Sequence, residues 1–387
     1  MSNPKRILIC AGEISGDMYG AAIVREMRAQ SACPLEFYGF GGDLMKAEGV
    51  ELYAHVSQTA VMGIWEVIKN IRFLAHLKRT IHGLLSARRP DLVLTLDYPG
   101  FNLKLAADAK SRGIPAVHYV CPQVWVWRKG RIPKIARSLT KLITIFPFEP
   151  PLFDGTGLDA VFLGHPLADQ VAETLSREPS ALPWGEGRRI AIFPGSRHSE
   201  INRILPTEIA AAVLLEKRLG PCSFLIPAPT AEARCQLESA LAKIEKKPAS
   251  LAICDGNSRE ILRQAEAAVI KSGTSTLEGS LLLCPFVLVY RVSSISYPIM
   301  RRLITGVAHV GLVNILAQKE VTKELIQDDA TPEAIADEIE RLLTANAVRE
   351  TMLSEMRAVN DLVGKPGASA RAATAVLDLI YGYKQDR

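Results

Sequence analysis

The chain has 387 residues, a formal charge of +5 and 48% apolar residues. That is more than one hydrophobic core holds, so two globular domains are expected, and the modest net charge says less about partners than the clusters into which the basic residues fall. Seven scattered cysteines (Cys10, Cys33, Cys121, Cys222, Cys235, Cys254, Cys284), never in a C-x-x-C arrangement, exclude a disulfide framework and read as reduced, mostly buried thiols of a cytosolic protein. The N-terminus runs straight from a charged start into a strand-like run, without the h-region of a signal peptide. No apolar stretch is long enough to span a bilayer, so any membrane association is expected to be peripheral.

The first predicted element is a strand from Arg6 to Ala11, delivered by the loop GEISGD, Gly12 to Asp17, to a helix through Ala21 and Met27. The loop lacks G-x-G-x-x-G, and acidic Glu13 and Asp17 at its rim disfavour phosphate and favour hydroxyls or an amine, which suggests a sugar-facing loop. Apolar runs recur at Leu35 to Phe40, Asp91 to Leu96, Pro115 to Val120 and Leu142 to Phe146, with helix-like segments between them. Alternating strands and helices predict a parallel, doubly wound sheet whose ligands bind beyond the carboxyl ends of its strands. Asp97 stands at such an end in LDYPGFN, before Pro99, Gly100 and Asn102, placed either as a general base or as a cap of the next helix. His118 ends the following strand and reads as a core or supporting group.

Two segments carry positive charge. Ala60 to Leu85 places Ile64, Val67, Ile68, Ile71 and Leu74 at helical spacing among Lys69, Arg72, Lys78 and Arg79. From His118 to Phe148 there is no acidic residue, while Trp125, Trp127, Arg128, Lys129, Arg131, Lys134 and Arg137 crowd together. Basic residues beside tryptophan suit a membrane interface or an anionic amphiphile. The competing reading is a first segment that buries its apolar stripe and a second that is a solvated face. No nucleic-acid-binding signature accompanies the charge.

After FLGHP, with His165 and Pro166, a stretch holding Pro179, Pro183, Trp184, Gly185 and Gly187 marks a domain boundary. RIAIFPG, Arg189 to Gly195, then repeats the spacing of RILICAG, Arg6 to Gly12, so each half opens with a strand running into a glycine loop. The fold class expected is α/β, with two facing doubly wound Rossmann-like domains and the active site between them. Residues 1–168 would form the acceptor and membrane-facing domain and 169–345 the donor domain, with 346–387 as terminal helices packing back across both.

The second opening carries Ser196 and Arg197, and an arginine fork at a strand end suits a diphosphate. Further strands are expected at Ser223 to Ile226, Leu251 to Cys254, Ala267 to Ile270 and Phe286 to Tyr290, followed by Arg291 and the Arg301-Arg302 pair. In KSGTSTLEG the turn at Gly273, Thr274 and Ser275 opens a helix, an arrangement that presents free N–H groups and a positive dipole end to phosphate. Glu278, a turn inside that helix, would repel phosphate and suits the hydroxyl pair of a ribose. Lys271 precedes the turn and is set aside as a phosphate ligand. Asn314, in HVGLVNILA, is either a ligand of the same site or a helix cap.

GEISGD, LDYPGFN, HYVCPQVWVWR, FPFE, FLGHP, FPGSR, KSGTSTLEG and VNILA stand in the order and approximate spacing of the lipid-A-disaccharide synthases, a resemblance that covers nearly the whole chain. The resemblance implies an inverting glycosyltransferase of GT-B architecture. It would join UDP-2,3-diacylglucosamine to 2,3-diacylglucosamine 1-phosphate, giving a β-1,6-linked disaccharide and UDP at the cytoplasmic face of the inner membrane. Two positions depart from the family pattern: Val313 precedes Asn314 where a proline is common, and Ile14 stands where a small residue is usual.

The expected step is one displacement with Asp97 as base and Glu13 or Asp17 as alternatives. Donor contacts are expected from Ser196, Arg197, Gly273, Thr274, Ser275, Glu278 and Asn314, and acceptor or membrane contacts from Trp125, Trp127, Arg128, Lys129 and Arg131. No Asp-x-Asp motif is placed for a metal, and no cofactor or nucleic-acid partner is expected. A UDP-N-acetylglucosamine 2-epimerase-like enzyme and a non-catalytic, membrane-surface nucleotide-sugar binder are the alternatives, and the basic tryptophan segment argues against the first.

Overall fold

A computed structural model describes residues 3–57, 71–126, 129–293 and 308–382. Trp127, Arg128, the Arg301-Arg302 pair and the predicted helix up to residue 70 lie outside the described residues. The chain divides into two compact units, one of residues 1–169 with 363–387 and one of residues 170–362. The tail at 346–387 is therefore shared: the helix Asn346–Val363 ends the second unit, and the helix Ala368–Tyr381 packs on the helix Ile14–Gln30 of the first.

The first unit holds seven parallel strands in the order β3-β2-β1-β4-β5-β6-β7: β1 Lys5–Ala11, β2 Leu35–Gly41, β3 Glu51–His55, β4 Leu92–Leu96, β5 Ala116–Tyr119, β6 Lys141–Thr144 and β7 Asp159–Phe162. The second holds six in the order β10-β9-β8-β11-β12-β13: β8 Arg188–Phe193, β9 Cys222–Ala228, β10 Ser250–Asp255, β11 Ala267–Lys271, β12 Phe286–Tyr290 and β13 Glu324–Ile326. Both are doubly wound α/β sheets of the Rossmann type. The central strands read as unbroken apolar runs because helices cover both faces. Ile7 to Ala11 and Leu92 to Leu94 are fully buried. Strands β3, β7 and β13, which the sequence reading missed, are short sheet edges in which only Leu325 is buried.

The matching openings of the two halves occupy one topological position. Ile7 in β1 registers with Leu92 in β4, and Ile190 in β8 registers with Ala267 in β11, so each opening strand lies where the strand order reverses. The first unit's tail helix is fixed by Asp169, whose carboxylate accepts the N–H groups of Gly367, Ala368 and Ser369 at 2.5, 3.0 and 2.9 Å. The described part of the basic helix, Ile71–Ala87, buries Leu77, Ile81, Leu84 and Leu85 in the first unit's core and leaves Lys78 and Arg79 exposed. The side chains of the predicted stripe, Ile64, Val67, Ile68, Ile71 and Leu74, lie outside the described residues. None of the seven cysteines forms a disulfide, and Cys235 is exposed.

In the second unit the helix His198–Leu219 buries Glu208, which is 1% exposed. Neither carboxylate oxygen has a hydrogen-bond partner among the described residues, and burial alone holds its pKa well above the ordinary value. A carboxyl whose folded pKa is raised contributes its full stability below the unfolded pKa and loses it as pH rises through the folded one. Glu208→Met should therefore raise the urea midpoint of the second unit at pH 7.5, by about 1–3 kcal/mol in stability. The gain should shrink as pH falls toward the ordinary glutamate range. A loss of stability at pH 7.5 would show that the carboxylate is paired.

Candidate active site

In a doubly wound sheet the loops leaving the two strands at the order reversal run to opposite faces and open a crevice beyond the carboxyl ends. In the first unit those loops are GEISGD after β1 and DYPG after β4. Asp97 and Tyr98 both adopt left-handed backbone, φ 49° and 45°, as does Val120 after β5, φ 76°. For non-glycine residues such conformations cost of order 1–2 kcal/mol each, and they persist only where surroundings impose them. Those surroundings are visible. Buried Asn102 donates from Nδ2 to the carbonyls of Cys10, Leu96 and Asp97 at 3.2, 2.9 and 2.8 Å, tying the ends of β1 and β4 together. The Tyr98 ring lies against Gly12, where an added Cβ would meet its Cγ at 2.3 Å.

The Asp97 carboxylate is half-buried, and its Oδ1 accepts the Tyr98 N–H at 2.8 Å. Burial raises its pKa from the ordinary value against that one hydrogen bond. Glu13 is exposed at the N-cap of the helix Ile14–Gln30, close enough that its charge helps raise the Tyr98 pKa after burial. Asp17 departs from the expectation. It is 5% exposed, and its two oxygens accept the N–H groups of Gly42, Leu44 and Met45 at 2.7, 3.1 and 3.1 Å. It caps the short helix Asp43–Ala47, and a Cβ on Gly42 would stand 2.5 Å from its Oδ2. His118 is also structural: fully buried, 2.8 Å from Thr95 Oγ1 and driven to a pKa of about 3 by burial.

Trp125 likewise leaves the surface assigned to it. It is 6% exposed, packs edge-on against Phe146 and Phe148, and donates from Nε1 to Glu149 at 3.0 Å. Glu149 also accepts the Ile145 and Phe146 N–H groups, so the FPFE motif fastens this loop to the end of β6. Burial pushes Glu149 up to about 7 in spite of these donors. The exposed basic residues begin beyond this point, with Lys129, Lys134 and Arg137 exposed and Arg131 half-buried. None of the four makes an ion pair among the described residues.

In the second unit the crevice lies between PGSR after β8 and KSGTST after β11. The helix Thr274–Leu281 starts there, and the N–H groups of Gly273, Thr274 and Ser275 make no hydrogen bond among the described residues. Gly273 has extended backbone, φ 162°, and an added Cβ would meet nothing nearer than the Lys271 carbonyl at 4.0 Å. Neither conformation nor internal packing demands glycine here. The space beside it is open, and three N–H groups at this helix N-terminus are without a partner among the described residues, an arrangement that can receive an anion. Glu278, 8% exposed, is held by Arg259 at 3.2 Å, and Arg259 is itself fixed by Gln170 and Thr174.

The Ser196 and Arg197 N–H groups are not free. Glu200 accepts them at 3.2 and 3.4 Å, which leaves Arg197 to offer its side chain, 80% exposed and 3.5 Å from Glu200. Asn314 is a strut rather than a ligand. Fully buried, it donates to the Thr322 carbonyl and to Glu324, and accepts the Val321 and Thr322 N–H groups, all within 2.8–3.0 Å. Glu324 in turn accepts the Val310 and Gly311 N–H groups, and Ser272 donates to the Val310 carbonyl, so this network fixes the loop beside the cradle. Arg291 is braced against Thr207 and Gln327. Among the described residues no cluster of three His, Cys, Asp or Glu forms a metal cage, and no helix is long and apolar enough to cross a membrane.

Two Rossmann-type units with crevices at both order reversals define the architecture of GT-B glycosyltransferases and the related epimerases. Among solved structures, a glycosyltransferase of kitacinnamycin matches with a TM-score of 0.63 at 14% identity, covering 98% of this chain and 100% of that one. A UDP-GlcNAc 2-epimerase from Neisseria meningitidis, bound to UDP-GlcNAc, matches with a TM-score of 0.64 at 11% identity, covering 97% and 100%. At such identities the likeness is one of fold. The family is decided by sequence. The model of the lipid-A-disaccharide synthetase family matches residues 7–376. The lipid-A-disaccharide synthase of Syntrophus aciditrophicus (strain SB) is 40% identical over 381 residues, 98% of each chain. The chain belongs to the lipid-A-disaccharide synthase family and is a glycosyltransferase.

Removing the Asn314 amide would strand the buried Val321 and Thr322 N–H groups. Asn314→Ala should lower stability by about 2–3 kcal/mol in urea unfolding. A loss of UDP affinity at unchanged stability would return Asn314 to the ligand role.

Proposed function

We propose that the chain joins a UDP-diacylglucosamine donor to a phosphorylated diacylglucosamine acceptor by a single inverting displacement, with the donor held by the second unit and the base supplied by the first. The observation that carries the donor assignment is the trio of N–H groups at Gly273 to Ser275, unpartnered among the described residues, around a glycine that neither its backbone conformation nor the described packing demands. The diphosphate would lie on these groups and the helix dipole, with the exposed Arg197 guanidinium as a charged clamp. Glu278, oriented by Arg259, would accept from the ribose hydroxyls. The acceptor 6-hydroxyl oxygen bonds to the anomeric carbon as the bond to the UDP oxygen breaks. UDP leaves with that electron pair, and the hydroxyl proton passes to Asp97.

Two features favour Asp97 over Glu13 as the base. Its strained backbone is pinned by Asn102, so its carboxylate is presented from a fixed position, and burial raises its basicity. Glu13 is suited to orienting acceptor hydroxyls. The basic residues Lys129, Arg131, Lys134 and Arg137, unpaired among the described residues, would meet the acceptor phosphate or the anionic membrane surface on which a lipid substrate lies. Peripheral contact with the inner membrane is part of this proposal.

Asp97→Asn tolerates the same left-handed backbone and should fold, bind UDP normally and lose turnover by about 100-fold or more. In the parent enzyme kcat/KM should fall with decreasing pH through a value above the ordinary Asp range, because only the ionised carboxylate accepts a proton. Near-normal turnover in the variant would move the base to Glu13. For the surface, the triple variant Lys129→Glu, Arg131→Glu, Lys134→Glu should bind anionic liposomes more weakly, and parent binding should weaken as salt rises. Unchanged binding would make this a solvated face.

A further inference from the structure

Within the second unit one carboxylate meets both loops of the crevice. Glu200 stands in the first turn of the helix His198–Leu219, where its Oε2 accepts the N–H groups of Ser196 and Arg197. Its Oε1 accepts from Lys271 Nζ at 2.9 Å, and Lys271 is the last residue of β11, two positions before Gly273. Both partners are well covered, at 17% and 15% exposure, so this is not a frayed surface pair. Gly195 has φ 107°, and a Cβ there would stand 2.5 Å from Glu200 Oε2, so the loop carries glycine where the carboxylate enters. Burial pushes the Glu200 carboxyl up, but the Lys271 hydrogen bond and charge, together with the Arg197 N–H and charge, outweigh it and hold the group below its ordinary value.

We infer that Glu200 is a positioning residue for the donor site, bracing the PGSR loop against the strand end that carries the phosphate cradle. The inference rests on the donor-site reading above and sharpens it in two ways. Lys271 serves as the other half of the brace, its charge neutralised inside the protein and not spent on phosphate. The Ser196 and Arg197 amides are already occupied, so the diphosphate has the Gly273 to Ser275 amides and the Arg197 guanidinium. A brace of this kind acts through the placement of Arg197 and the cradle, so its loss should weaken ground-state donor binding while leaving the proton transfer at Asp97 intact.

The test compares the full-length parent with Glu200→Gln, Lys271→Met, the double variant and Gly273→Val. UDP affinity is read by calorimetry and steady-state transfer by UDP release, with thermal unfolding recorded for each. Glutamine keeps an oxygen for the loop amides and loses only the ion pair. Glu200→Gln should weaken UDP binding about tenfold, roughly 1.4 kcal/mol, and raise donor KM in step. Acceptor KM and kcat should stay within about twofold. Lys271→Met should give the same loss, and the double variant no more than either single one, as two halves of one interaction require. If Glu200→Gln and Lys271→Met shift only the unfolding temperature and bind UDP like the parent while Gly273→Val has lost it, Glu200 is a helix cap and the inference falls alone. If Gly273→Val binds UDP like the parent, the donor-site reading falls and takes the inference with it.

Discussion

Where the strand order of a parallel sheet reverses, two neighbouring strands send their chains to opposite faces, and the backbone groups at their carboxyl ends lose the neighbours that would cover them. This protein has that situation twice, between β1 and β4 and between β8 and β11. Glu13, Asp97, Arg197 and Glu278 each stand in a loop leaving one of those four strands, or in the helix such a loop begins. The sheets supply rigid ends, and the loops supply the exposed N–H groups, the carboxylates and the arginine.

Loops with such exposed groups need fixing, and the fixing is done by buried polar side chains that reach across the chain. Asn102 ties the ends of β1 and β4, Asp17 closes the turn into Asp43–Ala47, Glu149 anchors Trp125, and Asn314 with Glu324 holds the loop against Ser272. Their hydrogen bonds run to backbone groups that would otherwise be unsatisfied, which makes each costly to remove. The motif residues of this chain therefore split into two kinds. Some present free groups to a ligand, and others exist to hold those groups still.

Carboxyl burial separates the same two kinds. Glu149 accepts from Trp125, Ile145 and Phe146, and Glu208 has no donor among the described residues. Asp97 lies between, with one backbone donor and a half-open face. A group that is raised in pKa yet still reachable is suited to taking a proton, whereas full satisfaction or full burial makes a carboxyl structural.

The chain order of apolar runs was enough to read two parallel α/β units, because central strands covered on both faces need unbroken apolar segments. The repeat of RILICAG in RIAIFPG correctly marked two equivalent positions, and the collinear motifs carried the family. The turn at Gly273 to Ser275 was legible because a strand, a glycine and a hydroxyl-rich helix start are local in sequence. Edge strands β3, β7 and β13 were not, since they are short and bury almost nothing, whereas the longer edge strand β10 was read. Nor were the partners of Asp17, Trp125, Glu200 and Asn314, residues whose type is compatible with a ligand or a strut. Which of the two each becomes depends on the backbone N–H or carboxylate that folding brings beside it. For Asp17, Trp125 and Lys271 that group lies 25, 24 and 71 residues away along the chain, a separation over which local pattern carries no information and only packing does.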